Sequence, residues 1–259
     1  MIRVELHRKE AGRRFAVLRP LRGSDEIAFD ETEDFAGSAL IDALLAPAAG
    51  ASVGPGEADR LTVSDRDRLL AALYRHCFGD RIESVCRCRS CGERFEISFL
   101  VSEVETMPRT SGPAAIEGPD ADGYYRANGA RFRLPTIGDL KAVAGLGRRE
   151  AETALRARCV AAADGCEAED VDEAMETAGP VLSCELDAAC PQCGAAETVP
   201  FDLERYLLSA LASERRFLTR EIHVLASAYH WPLADIMSLS REDRRALVRC
   251  VDSSRRGSG

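Results

Sequence analysis

Two short cysteine pairs carry most of the chemistry this chain can offer: Cys88-Arg89-Ser90-Cys91 and Cys190-Pro191-Gln192-Cys193, with 98 residues (92–189) between them. Each pair runs straight into a glycine, Gly92 or Gly194. That suits a tight turn in which a residue without Cβ takes positive φ and backbone N–H groups point at sulfur. The pattern is that of a zinc knuckle, and two knuckles supply the four thiolates of a closed tetrahedral site. A closed site leaves no position for a reacting water, so the expected chemistry is structural: Cys88, Cys91, Cys190 and Cys193 hold a zinc ion that staples two distant stretches. Closing a loop of that length costs about 4 kcal/mol of chain entropy, against about 10–16 kcal/mol for structural zinc binding near neutral pH.

Free or redox thiols are the rival reading. Ten cysteines in 259 residues fall short of a disulfide scaffold, and Met1-Ile2-Arg3-Val4-Glu5-Leu6-His7-Arg8 has no apolar secretory core, so a reducing compartment is expected. A thioredoxin-like motif needs one Cys-x-x-Cys at a helix start in a βαβ unit, whereas here there are two, each within a strand-like stretch. The ligand count has its own competitors. Along a strand Cys86 points the same way as Cys88 and can compete for the metal, and Cys184 lies six residues before the second pair; the i, i+3 pair fits a knuckle better. Cys77, Cys159, Cys166 and Cys250 occur singly and read as small buried apolar residues.

Enzyme signatures are missing. There is no Gly-rich phosphate loop, no G-x-S-x-G and no H-E-x-x-H, and the four histidines at 7, 76, 223 and 230 make no triad pattern. Cys190–Gly194 echoes the deaminase P-C-x-x-C run, but proline follows the first cysteine and no H-x-E lies upstream. A composition of 46% hydrophobic and 30% charged residues reads as globular, and no apolar run approaches the 18 residues of a membrane span. The net charge of −9 argues against a phosphate-neutralising surface.

The elements that must position these cysteines follow from periodicity. Arg14–Arg19 reads as a strand ended by Pro20, and an acidic stretch 25–34 leads to a helix near Phe35–Leu45. After a loop at 47–56, Ser64 is expected to cap a helix carrying Leu69, Leu70, Leu73, Tyr74 and Cys77, with Gly79 as its C-cap. Phe95, Ile97 and Phe99 alternate as a half-buried strand. Beyond a loop at 108–122, Tyr124–Arg133 reads as a hairpin turning at Asn128-Gly129. Thr136 with Asp139 caps a short helix, and helices are expected at 150–162 and 169–178. The longest helical signal runs from Leu203 to His230, with an interruption expected near Ala212–Glu214, and Trp231-Pro232 breaks it. Ser240 with Asp243 starts a last helix, 241–251, and 253–259 reads as a frayed tail.

These elements predict an α+β fold, mostly helical, with a split four-cysteine zinc ribbon and a helical insertion between the knuckles. The organisation is an N-terminal strand and helix region (1–62), a helix with the first knuckle (63–107), the insertion with its hairpin (108–180), the second knuckle (181–202) and a C-terminal helical region (203–259).

Several blocks in one order resemble a known family. They are Leu18–Glu26; Ser64–Leu70 running to Gly79-Asp80; Arg133–Leu140; Cys190–Gly194 followed by Phe201–Tyr206; and Glu221–Trp231 with Ile236–Leu239 and Arg244-Arg245. Together they are similar to the zinc-binding baseplate hub assembly proteins of contractile phage tails. Pro232 and the extra Cys86 depart from that pattern. The resemblance implies a non-enzymatic assembly chaperone or structural subunit of a baseplate hub, in a phage or related injection system. It also implies other baseplate or hub proteins as partners, no membrane, and residence in the bacterial host cytoplasm or the finished baseplate. The alternative is a zinc-ribbon regulator binding nucleic acid, for which Arg81, Arg87, Arg89 and Arg94 cluster near the first knuckle.

The C-terminal helices supply the candidate partner contacts. His223 and His230 stand seven apart, a poor metal spacing, which leaves packing or partner contact. Tyr229 and Trp231 flank the helix break as candidate anchors, or belong to the chain's own core. Arg244 and Arg245 either meet acidic partner residues or solvate the last helix.

Overall fold

In the computed structural model, residues 1–10, 13–107, 116–163, 165 and 167–257 are described. Strand β1 (Ile2–Glu10) pairs with β2 (Arg13–Leu18), and helices α1 (Gly23–Ala28) and α2 (Ala36–Leu44) follow. A 3-10 turn at Ala58–Arg60 precedes α3 (Val63–Phe78). The first cysteine hairpin, β3 (Arg81–Arg87) and β4 (Arg94–Leu100), runs into α4 (Val101–Thr106). The segment between the hairpins holds β5 (Tyr124–Ala127), β6 (Ala130–Arg133), α5 (Ile137–Val143), α6 (Arg148–Cys159), β7 (Val160–Ala163) and α7 (Ala168–Ala178). The second cysteine hairpin is β8 (Ser183–Ala189) and β9 (Ala196–Asp202), and α8 (Leu203–Tyr229), α9 (Leu233–Ser238) and α10 (Arg241–Gly257) complete the chain. With 49% helix, 24% strand and every described strand pairing antiparallel, the fold mixes the two element types as α+β.

Helix α3 is the centre of the main core. Its Leu69, Leu70 and Leu73 are fully buried against the β1–β2 hairpin, α2 and the first half of α8, where Leu203, Leu207, Leu208 and Leu211 face inward. Each such side chain contributes about 1.5–3 kcal/mol by leaving water. The N-cap is Thr62, not Ser64: Thr62 Oγ1 accepts from Asp65 N–H at 3.1 Å. Thr62 is extended and bridged to Thr136, so the chain turns helical two residues earlier than the acid pattern suggests. The acids that follow are buried ties to remote backbone. Asp65 accepts from His7 N–H at 2.6 Å and Asp67 from Leu182 N–H at 2.7 Å.

The segment between the hairpins has a core of its own, Tyr125, Phe132, Leu134, Val171 and Ala174. Asn128 and Gly129 take φ of 51° and 83°, as a two-residue hairpin turn requires. The helix expected over 150–162 ends at Cys159, and Val160–Ala163 joins β6 as a third strand, because the open edge of the hairpin offers its backbone partners. Of the loop expected at 108–122, residues 108–115 lie outside the described residues, and Glu117 pairs with Arg126.

Helix α8 runs unbroken through Ala212–Glu214 over 27 residues. The apolar pattern lapses there because Glu214 accepts from Arg241 and Arg245 of α10, so a polar side chain occupies an inward position. Helix α10 continues through Gly257 instead of fraying at Ser253, with the Ser253 and Ser254 hydroxyls donating to Cys250 carbonyl oxygen. No helix among the described residues is long and apolar enough to cross a membrane.

Candidate metal centre

The two cysteine pairs sit at the turns of two hairpins built to one plan. In the first, seven residue pairs run from Arg81↔Leu100 to Arg87↔Arg94; in the second, seven run from Ser183↔Asp202 to Ala189↔Ala196. Each turn closes with the same two backbone bonds. Cys88 N–H donates to Glu93 C=O at 2.9 Å and Gly92 N–H to Cys88 C=O at 3.0 Å. Cys190 N–H donates to Ala195 C=O at 2.9 Å and Gly194 N–H to Cys190 C=O at 2.8 Å. Gly92 and Gly194 have φ of 78° and 73°. No atom crowds either site closer than 3.9 Å, so backbone conformation alone demands glycine there.

The first cysteine of each pair is buried and the second exposed. The sulfurs interlock diagonally: Cys88 Sγ lies 3.7 Å from Cys193 Sγ, and Cys91 Sγ 3.8 Å from Cys190 Sγ. All four lie within 4.8 Å of one another. An ion bonded to four sulfurs at about 2.3 Å in a tetrahedron requires S···S edges of about 3.8 Å, so the cluster has the dimensions of a metal site. Backbone N–H groups also face the sulfurs, Cys91 N–H lying 3.5 Å from Cys88 Sγ. The N–H groups of Cys193 and Gln192 help draw the Cys190 thiol down to about 7. At Cys88 the N–H of Cys91 pulls the same way, but Glu197 and burial push that thiol up to about 12.

Cys86 packs beside this cluster with Ile97, and Cys184 packs on the main core; neither sulfur belongs to the four-membered group. Among the single cysteines, Cys159 is buried, with its thiol pushed up to about 11 by that burial, and Cys77 is half-buried. Cys250 is exposed, contrary to the expectation of a buried residue, and Cys166 lies outside the described residues.

Sequence reasoning missed Glu197. Its carboxylate is buried at 8% exposure, accepts from Arg89 N–H at 2.8 Å, and is held below the usual range first by Cys88 and then by that N–H. It occupies the position in the second hairpin that Phe95 occupies in the first, four residues after the outer cysteine, and both face inward. The signal was present in the alternation: an acid shares an inward face with Val199 and Phe201.

The partner-contact candidates divide. Tyr229 and Trp231 stack with ring centroids 5.0 Å apart, both more than a third exposed, next to Leu233 at 60%. His223 is exposed on α8, while His230 ends that helix with φ of 55°, so it leaves the face that carries His223. Arg244 points inward. It is completely buried, donating from Nη2 to Glu26 at 2.5 Å, from Nε to Glu221 at 3.0 Å and from Nη1 to Leu239 C=O at 3.2 Å, so it neither solvates the helix nor meets a partner. Arg245 is about a third exposed and pairs with Glu214 and Glu221.

Comparison with family models, with curated proteins and with solved structures gave no match.

Proposed function

We propose that this chain is a non-enzymatic assembly protein of a contractile-tail baseplate hub, acting as chaperone or structural subunit, with one zinc ion held by Cys88, Cys91, Cys190 and Cys193. The observation that carries the structural half is the four-sulfur cluster joining two hairpins from opposite ends of a 98-residue segment (92–189). Four thiolates in a tetrahedron suit a single zinc or iron ion, and zinc is the usual occupant of a closed structural site of this kind. The two hairpins then form one zinc ribbon that fixes α3, which precedes the first hairpin, against α8, which follows the second.

The assembly half rests on the ordered sequence blocks that resemble the baseplate hub assembly proteins, and on the surface beyond the ribbon. Stacked Tyr229 and Trp231 with exposed Leu233 present aromatic area of the kind that anchors protein interfaces. The partners are other hub or baseplate proteins, and the setting is the host cytoplasm or the assembled tail. Affinity purification of the tagged chain during tail assembly, followed by mass spectrometry of the eluate and of finished particles, tests this. Hub proteins in the eluate support it, and presence in finished particles distinguishes a subunit from a chaperone. An eluate without tail proteins refutes it.

A nucleic-acid role has one observation in its favour: Arg87 and Arg94 are paired across the first hairpin and exposed, with Arg89 in the turn. The same outward face carries Glu83 and Glu96, which leaves it nearly balanced, and the whole chain is acidic. A salt-dependent mobility shift of labelled DNA or RNA would favour that reading over hub assembly.

A further inference from the structure

A cavity of about 190 Å³ opens where the start of α10 meets the end of α3, lined by His76, Cys77, Ser240, Arg241, Arg245 and Arg249. Arg241 forms its inner wall. The residue is 6% exposed, and its position is fixed on three sides. Its main-chain N–H donates to Leu21 C=O at 2.8 Å, its Nη2 to Glu214 at 2.5 Å, and its guanidinium lies 4.9 Å from the centre of the Phe78 ring. The other two donor nitrogens, Nε and Nη1, are buried and reach no oxygen or nitrogen acceptor among the described residues. The polar group beside them is the Cys77 thiol, a weak acceptor that burial keeps protonated.

Charge counting shows why donors rather than excess charge matter. Arg241, Arg244 and Arg245 are matched by Glu26, Glu214 and Glu221 in a shared network. The rest of the lining adds one base and one acid, Arg249 and Glu242, together with His76. Arg241, Arg245 and Arg249 recur every four residues, so they share one face of a 17-residue helix, and the positive end of that helix adds to their field. A buried guanidinium in the cavity wall whose Nε and Nη1 meet no oxygen or nitrogen acceptor, only the weak Cys77 sulfur, is complementary to an oxygen pair.

We infer that this cavity is an oxyanion-binding site, taking one carboxylate or phosphate group on Arg241 Nε and Nη1, which it reaches as the neighbouring Cys77 thiol turns aside, with Arg249 and His76 in the same lining. The site stands independently of the assembly role. Because the local charges nearly cancel, binding is modest, half-saturating on the order of 1–10 mM for a free ion.

The test uses the full chain, titrated separately with sodium phosphate and sodium acetate, with sodium chloride at equal ionic strength as reference, while NMR follows the Arg241 Nε–H resonance. A saturable displacement by either oxyanion and not by chloride is expected, and the tighter of the two identifies the ligand as phosphate or carboxylate. Arg249→Ala, an exposed rim change, raises the half-saturation concentration at least threefold. Cys77→Met, which fills the cavity without changing charge, abolishes the response. A response to both oxyanions no different from chloride overturns the site, as does saturation that Arg249→Ala leaves unchanged.

Discussion

Cys88 Sγ lies 3.7 Å from Cys193 Sγ, although 105 positions separate the two residues in the chain. The diagonal partner contact, Cys91 to Cys190, repeats that closeness. Each hairpin brings two of the four sulfurs, so neither alone could hold an ion in a four-sulfur site. In the proposed metal site the relationship therefore couples ion binding to the packing of α3 against α8.

Glu197 answers the N–H of Arg89 in the opposite knuckle at 2.8 Å and lies against Cys88. Glu197→Ala leaves that N–H unanswered and lets the first knuckle shift. Metal affinity is expected to fall about 10–100-fold with the cysteines intact, as for other outer-sphere partners of metal ligands. Competition against a chromogenic chelator measures it; an unchanged affinity would show that the carboxylate is a bystander.

Arg244 is buried between Glu26 and Glu221. Arg244→Met strands the buried Glu26 carboxylate and leaves Glu221 with Arg245 as its one cation, and should cost about 3–5 kcal/mol in urea unfolding. Adding Glu26→Gln to that variant should recover part of the loss, since the stranded charge is gone. If both proteins unfold at the wild-type midpoint, the ion pairs do not hold α1 and α10 to α8.

Asp139 receives donors from Arg133, Arg158 and Thr136 at 2.5–3.0 Å. Burial pushes its carboxyl up, but the two guanidiniums and the Thr136 donors outweigh it and hold the group well below the usual carboxylate range. A depressed folded value means the stabilisation is present above the unfolded pKa of about 4 and is lost as pH falls below it. Asp139→Asn should therefore be about 2–3 kcal/mol less stable at neutral pH, with the gap to wild type narrowing in acid. Thermal melts across that range check the sign; a gap that widens in acid contradicts it.

Trp231 and Tyr229 stack on each other and stay more than a third exposed, so their removal costs less packing than that of a core aromatic. Trp231→Ala should stay folded, destabilised by about 1–2 kcal/mol, while losing most co-purifying tail protein. Retention of the partner by a folded Trp231→Ala protein would move the docking surface elsewhere.

The spacing of the cysteines and their glycines disclosed the site, because a metal turn constrains residue types locally and leaves them adjacent in sequence. Helix α3, the 124–133 hairpin and the Thr136–Asp139 cap were legible for the same reason, each resting on contacts within a few residues. What stayed hidden depends on remote partners. Glu26 and Arg244 look like surface charges in sequence, and only the approach of α1 to α10 makes them a buried pair. Glu214 disguised the continuity of α8 in the same way. Val160–Ala163 became a strand because another edge was open to it, which no local pattern records.

Native mass spectrometry with elemental analysis of the reduced, folded chain tests the central claim most directly. One zinc ion per chain is expected, retained in Cys86→Ser and Cys184→Ser and lost in Cys88→Ser, with a matching fall in thermal stability. A folded wild-type chain at the metal-free mass, or zinc that survives Cys88→Ser at full stoichiometry, would contradict the account.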